Sequence, residues 1–225
     1  MVMTLQDLLD EASTALDDTE APYLWGSGEL TGYINKAIEI LTEKGLLISD
    51  ASTAAVCTMS LSLLGGQSYT KHPKIIQVRE IYLTGYTTPV IKKTLSWLGA
   101  HWSTWRSATA GKPLVFTEDY ESGKVTFIPS PDQAYTANLS VFRYALTDLS
   151  LSSLNASPEI HTRWHKYIKK GVLYQAYSKD DSEGYDPDRA LKYEKEFMAD
   201  CSQAAFEAYK ASYSSQTVSP HLGFM

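Results

Sequence analysis

Residues 157–177 read SPEIHTRWHKYIKKGVLYQAY, and the rest of the chain divides around them. Ser157, Pro158 and Glu159 have the order of a helix start: a capping hydroxyl, a first-turn proline and an early acid. Apolar residues then recur at spacings of three and four, at Ile160, Trp164, Tyr167, Ile168, Gly171 and Tyr174. That is the period of a helix face packed on a core. Arg163, Lys166, Lys169 and Lys170 fall on a different arc.

Upstream of this stretch the period is two. From about Thr53 to Leu149, short runs of β-branched and apolar residues alternate with turn residues. The run from Ala55 to Leu61 reads as a strand, as do Ile75–Leu83 and Tyr135–Leu146. Val115–Thr117 and Val125–Ile128 flank Ser122-Gly123, the mark of a hairpin. Residues 94–110, with Trp97, Trp102 and Trp105, fit a short helix or an aromatic loop.

Helical patterning also opens the chain. Thr4 caps a predicted helix with Leu5, Leu8, Leu9, Ala12 and Leu16 on one face, and Asp7, Asp10 and Glu11 in its early turns. Ser27 is expected to cap a second, which carries Glu29 in its first turn and Leu30, Ile34, Ala37, Ile38 and Leu41 on its stripe, and stops at Gly45. Downstream, Asp186-Pro187 starts a last helix with Ala190, Phe197, Met198, Cys201, Ala204, Ala205 and Ala208 on its stripe. The prediction is an α+β protein: a four-helix bundle formed by the N- and C-terminal helices, with an inserted antiparallel β-sandwich or barrel-like domain. Its segments are residues 1–50, 51–150 and 151–211, followed by a tail at 212–225.

Composition narrows the function. The 225 residues are 44% hydrophobic and 20% charged, as in ordinary globular domains. No apolar run approaches the roughly 18 residues that span a bilayer, and no basic-then-apolar leader opens the chain. Two cysteines, Cys57 and Cys201, make no disulfide framework and fit a reducing compartment. The net charge of −6 is unevenly spread. Residues 1–50 hold ten acids and two bases, a net of −8; residues 51–150 hold nine bases and six acids, a net of +3. No block has the excess of cations that gripping nucleic acid requires. Opposite charges can instead pair within a subunit or between subunits.

Catalytic and cofactor patterns are missing. His161 and His165 have the spacing of helical metal ligands, but Thr162 stands where a zinc-protease helix needs Glu and no third ligand follows. Gly111-Lys112 lacks the glycines of a phosphate loop, and no nucleophile elbow occurs. No metal, cofactor or catalytic residue is therefore expected, and the chain reads as an assembly protein. Fifteen tyrosines and five tryptophans suit packing and interfaces. A second reading gives those of the β region to a glycan-binding module with a helical oligomerisation domain.

A resemblance sharpens the assembly reading. It rests on residues 25–37 (WGSGELTGYINKA), on Pro158-Glu159-Ile160 running through His165 to Ala176-Tyr177, and on Asp180-Asp181, Arg189-Ala190 and Phe197. Tyr69, His72-Pro73 and residues 129–132 (PSPD) fit the same layout. The chain resembles the head-to-tail adaptor proteins of tailed bacteriophages, including those called tail tubular protein A. The resemblance implies a virion component forming a homo-oligomeric ring, expected to be a dodecamer. The ring would lie between the portal protein and a tail nozzle or tail tube protein, and double-stranded DNA would pass its lumen without specific binding. The arc of Arg163, Lys166, Lys169 and Lys170 and the acids Asp7, Asp10 and Glu11 are the expected subunit–subunit contacts. The tail, ending in Leu222, Phe224 and Met225, is the expected portal-docking arm.

Overall fold

A computed structural model describes residues 2–62, 66–180 and 183–213, with side chains as far as 210. Helices α1 (Leu5–Leu16) and α2 (Ser27–Gly45) open the chain. Then come β1 (Ser49–Asp50), the single turn α3 (Ala54–Cys57), β2 (Thr58–Leu61), β3 (Ser68–Thr70), β4 (Ile75–Leu83) and β5 (Ile91–Lys92). After α4 (Leu95–His101) the strands β6 (Val115–Thr117), β7 (Lys124–Ile128) and β8 (Tyr135–Arg143) complete the β-rich part. Helices α5 (His165–Tyr177) and α6 (Pro187–Tyr213) follow. The protein is α+β, with two sheets. The chain divides into two compact units, one of residues 1–48 with 145 onward and the other of residues 49–144.

In the helical unit, α1, α2, α5 and α6 share one core. The three-and-four stripes supply it: Leu5, Ala12, Leu30, Ile34, Leu41, Trp164, Ile168 and Phe197 are almost wholly buried. Each large apolar side chain removed from water there stabilises the fold by roughly 1.5–3 kcal/mol. The capping box at Thr4 is complete: its hydroxyl accepts from Asp7 N–H, and the Asp7 carboxylate accepts from Thr4 N–H at 2.8 Å. Asp186 caps α6 by accepting from Arg189 N–H at 3.0 Å. Gly171 of α5 marks a close helix contact, since a Cβ there would lie 2.7 Å from Ala37 Cβ and 2.9 Å from Phe197 Cζ. Small residues at helix contacts let the axes approach in this way.

The second unit holds both sheets. In one, β8 is central, with β4 along one side and β1 and β2 in tandem along the other, all antiparallel. The other runs β3-β7-β6-β5. Val78, Ile81, Ala137 and Val141 of the first sheet share a core with Phe116, Val125 and Phe127 of the second. The outer side of β4 is closed by neighbours. Val90 N–H donates to Ile81 O at 2.8 Å, Lys92 Nζ donates to Val78 O at 2.8 Å, and Val78 N–H donates to the Glu118 carboxylate. Such cover blunts an edge that could otherwise pair with another chain.

Four expectations need correction. Residues 54–57 form a helical turn, and the strand begins only at Thr58. The cause is local: Asp50 Oδ1 accepts from the N–H groups of Ser52 and Thr53, and Thr53 O then accepts from Val56 and Cys57. Ser157-Pro158-Glu159 does not start a helix. The Glu159 carboxylate accepts from Leu146 N–H at 2.9 Å, and α5 begins at His165 after a 3-10 turn at Thr162–Trp164. The sheets are not wholly antiparallel, because β5 runs parallel to β6; the connection through α4 is long enough for a crossover. Ser27 is not the cap of α2 but its first residue, behind Gly26 at the cap position. At Gly45, α2 ends as expected, and Leu46 takes the left-handed conformation (φ 49°). Gly45 instead leaves room for Leu47, whose side chain would lie 2.7 Å from a Cβ.

Candidate functional site

An assembly protein acts through its surface, so the charged arc comes first. The structure divides it. Lys169 reaches Glu11 of α1 at 2.8 Å, joining one predicted cation to one predicted acid within the chain. Lys170 turns to α6 and meets Asp200 at 2.8 Å and Glu196 at 3.6 Å. Its hydrogen bond with Asp200 raises its pKa. Asp7 serves the α1 cap, which lowers its own pKa through hydrogen bonds from Thr4. Asp10 stays exposed, with Oδ1 accepting from Gln6 Nε2 at 2.8 Å. Arg163 and Lys166 are also exposed. Their cationic groups lie 4.5 Å and 4.9 Å from the ring centres of Trp164 and Tyr167, so their stems rest on aromatic surface.

The two histidines do not share a helix face. His161 is exposed and caps the 3-10 turn, its Nδ1 accepting from Arg163 N–H. His165 is 1% exposed. Its Nδ1 accepts from Met3 N–H at 3.2 Å and its Nε2 donates to Ile160 O at 3.0 Å, so the neutral ring is satisfied on both sides. Among the described residues no group of three or more His, Cys, Asp or Glu is placed to hold a metal ion.

Burial lowers the His165 pKa below its ordinary 6.5. The unfolded chain therefore binds a proton first as pH falls. The stability contributed by neutral His165 is complete above pH 6.5 and is lost as pH drops through that value towards the folded pKa. Denaturant titrations at pH 7.5 and about 5.5 should show the helical unit losing stability, and His165→Gln should flatten the dependence. An equally steep loss in His165→Gln would assign it to other groups.

Sequence reasoning missed a groove on the outer side of α1. It has a volume of about 620 Å³ and is lined by Leu9, Asp10, Tyr23, Trp25, Leu151 and Leu154, among others. Tyr23 is 62% exposed, and Leu151 and Leu154 are exposed as well. Asp18 holds the shape of the loop: its two carboxylate oxygens accept from Leu24 and Trp25 N–H, each at 2.9 Å. Leucines in the Ser-rich stretch 150–154 and an exposed tyrosine after Ala21-Pro22 were the available sequence signal. In the other unit Trp105 is buried, and Trp97 stacks on His101 at 4.7 Å with Lys93 4.5 Å from its ring.

Comparison with known families joins these surfaces to a role. The model of the SU10 adaptor protein family matches residues 3–220, from just before α1 to beyond α6. The chain belongs to the SU10 adaptor protein family. Its members are phage head-to-tail adaptors, which makes the chain a bacteriophage structural protein of the virion that contacts other phage structural proteins. No match was found among curated proteins. Among the described residues of this SU10 adaptor, no helix is long and apolar enough to cross a membrane.

Proposed function

We propose that the chain is one subunit of a homo-oligomeric ring between the portal and the tail nozzle or tail tube, with the genome passing through its lumen. The observation that carries this is the adaptor-family match over residues 3–220. The ring is expected to be a dodecamer. The helical unit serves in it as a four-helix bundle and the two-sheet unit as a sandwich-like insertion. The arc at Arg163 and Lys166 and the acid Asp10 supply contacts between subunits, while Lys169, Lys170, Asp7 and Glu11 support those surfaces from within. A chain of net charge −6 suits a lumen that DNA slides through without being held. The structure of the subunit supports an architectural role: two separately cored units, and ion pairs that tie helix to helix.

Electron microscopy of the purified chain, and of virions labelled on it, tests the reading. Closed rings, and label at the head–tail vertex, are expected; a monomer with label elsewhere would overturn it. The portal-docking residues Leu222, Phe224 and Met225 lie outside the described residues. They remain part of the proposal, because a polar stem with an apolar tip suits insertion into a partner's groove. Deleting residues 214–225 should leave the circular dichroism spectrum unchanged and lower ring attachment to portal-bearing heads at least about tenfold, since avidity multiplies a weak repeated contact. Equal attachment by truncated rings would remove the arm from the mechanism.

A further inference from the structure

A closed ring requires each subunit to offer two different surfaces, one to each neighbour. The helical unit has two that differ in shape and sign. The groove beside α1 is concave, and its lining has two carboxylates, Asp10 and Asp18, and no cation. The corner where α5 begins is exposed and carries Arg163 and Lys166. Gln6, Asp10 and Ser13 line the groove at helical spacing, whereas Glu11, turned about 100° from Asp10, faces α5 through Lys169.

Resting on the ring reading above, we propose that the groove is a socket for a second copy of this chain, and that it receives Arg163 and Lys166 of the neighbour. The chemistry of the lining matches that guest. Asp10 is exposed, with only its Oδ1 held by Gln6 Nε2. Tyr23, 62% exposed, offers a ring face to a cation. Leu151 and Leu154 give apolar walls for the methylene stems of arginine and lysine. The guest is partly ordered in advance, since both cations already lie against Trp164 and Tyr167; ordering them on contact costs less. Lys169 and Lys170 are committed to Glu11 and Asp200 and take no part.

Head-to-tail geometry gives the proposal a sharp test. The full-length chain is compared with Asp10→Lys and with the double variant Arg163→Glu/Lys166→Glu, by sedimentation velocity at low salt, with circular dichroism as the check on folding. All three residues are exposed, so the variants should fold. Each variant alone should associate at least about tenfold more weakly than wild type, as repulsion replaces attraction. An equimolar mixture of the two should recover assembly. In an alternating ring the reversed groove meets the reversed corner, and the native groove meets the native corner. If wild type forms rings and either variant assembles normally, or the mixture does not recover, the socket assignment fails while the ring reading stands. If Leu154→Trp blocks assembly and the charge reversals do not, the guest is apolar and the assignment again fails. If wild type never associates, the ring reading itself fails.

Discussion

Replacing Arg143 by methionine should cost the β-rich unit about 3–5 kcal/mol. Arg143 Nε donates to Asp50 Oδ2 at 2.6 Å, with both side chains more than nine-tenths buried. Removing the guanidinium leaves a carboxylate shut away from water with its charge uncompensated. Methionine keeps much of the volume, so the loss reports the charge rather than a cavity. Burial alone would raise the Asp50 pKa. The hydrogen bonds it accepts from Thr53, Ser52 and Arg143 outweigh that and hold it well below the usual carboxylate range. The stability this pair contributes is therefore complete above the ordinary pKa of 3.8 and is lost as pH falls below it. Urea titrations at pH 7 check the first statement: a midpoint equal to wild type would show that the pair is neutral. Titrations towards pH 3 check the second, with Arg143→Met losing less than wild type.

Phe197→Ala should destabilise the helical unit by about 3–5 kcal/mol. Phe197 is fully buried and its ring meets the position of the absent Gly171 Cβ. Its removal opens a cavity at the contact of α5 with α6, and neither helix can close it without leaving α2. A second change gives a stricter check. Gly171→Ala alone should be destabilising by about 1–3 kcal/mol through overpacking, despite the gain of about 1 kcal/mol in helix propensity. In the Phe197→Ala background that penalty should shrink, because one of the two clashing neighbours is gone. A double-mutant cycle by thermal or denaturant unfolding measures the coupling. Strict additivity would mean that Gly171 and Phe197 are not in the contact described.

The helices were legible because their signal is long and repeated. In α1 the five predicted stripe residues, Leu5, Leu8, Leu9, Ala12 and Leu16, are all buried, and in α2 the same holds for Leu30, Ile34, Ala37, Ile38 and Leu41. The errors fall where one side-chain hydrogen bond overrides the local pattern. Ser157-Pro158-Glu159 has every local mark of a helix start, yet Glu159 is turned to Leu146. Ala54–Cys57 has strand composition, but Asp50 Oδ1 accepts from Ser52 and Thr53 N–H and caps a turn there. The same limit governs the surface. Spacing placed Arg163, Lys166, Lys169 and Lys170 on one arc, but only packing separates Lys169 and Lys170, which meet Glu11 and Asp200, from the exposed pair. The groove was out of reach of spacing altogether, because α1, the 18–27 loop and the 151–154 loop come together only when α1 docks through Leu5 and Gln6 N–H onto Ala156 and Leu154.

The pairing of β1 with β8 has a consequence for how the chain folds. Ser49 sits opposite Phe142 and Asp50 opposite Val141, so the inserted unit begins and ends at the same place in its sheet. The helices α2 and α5 must find each other across an insertion of roughly a hundred residues, and closing so long a disordered loop is entropically costly. Once the strands have formed, the effective loop falls to residues 46–48 and 144–164. By the logarithmic dependence on length, that difference is on the order of 1–1.5 kcal/mol in favour of helix docking. The β-rich unit thus acts as a chain-shortening device: its own collapse, nucleated by nearby hairpin partners, brings the two halves of the helical core within reach.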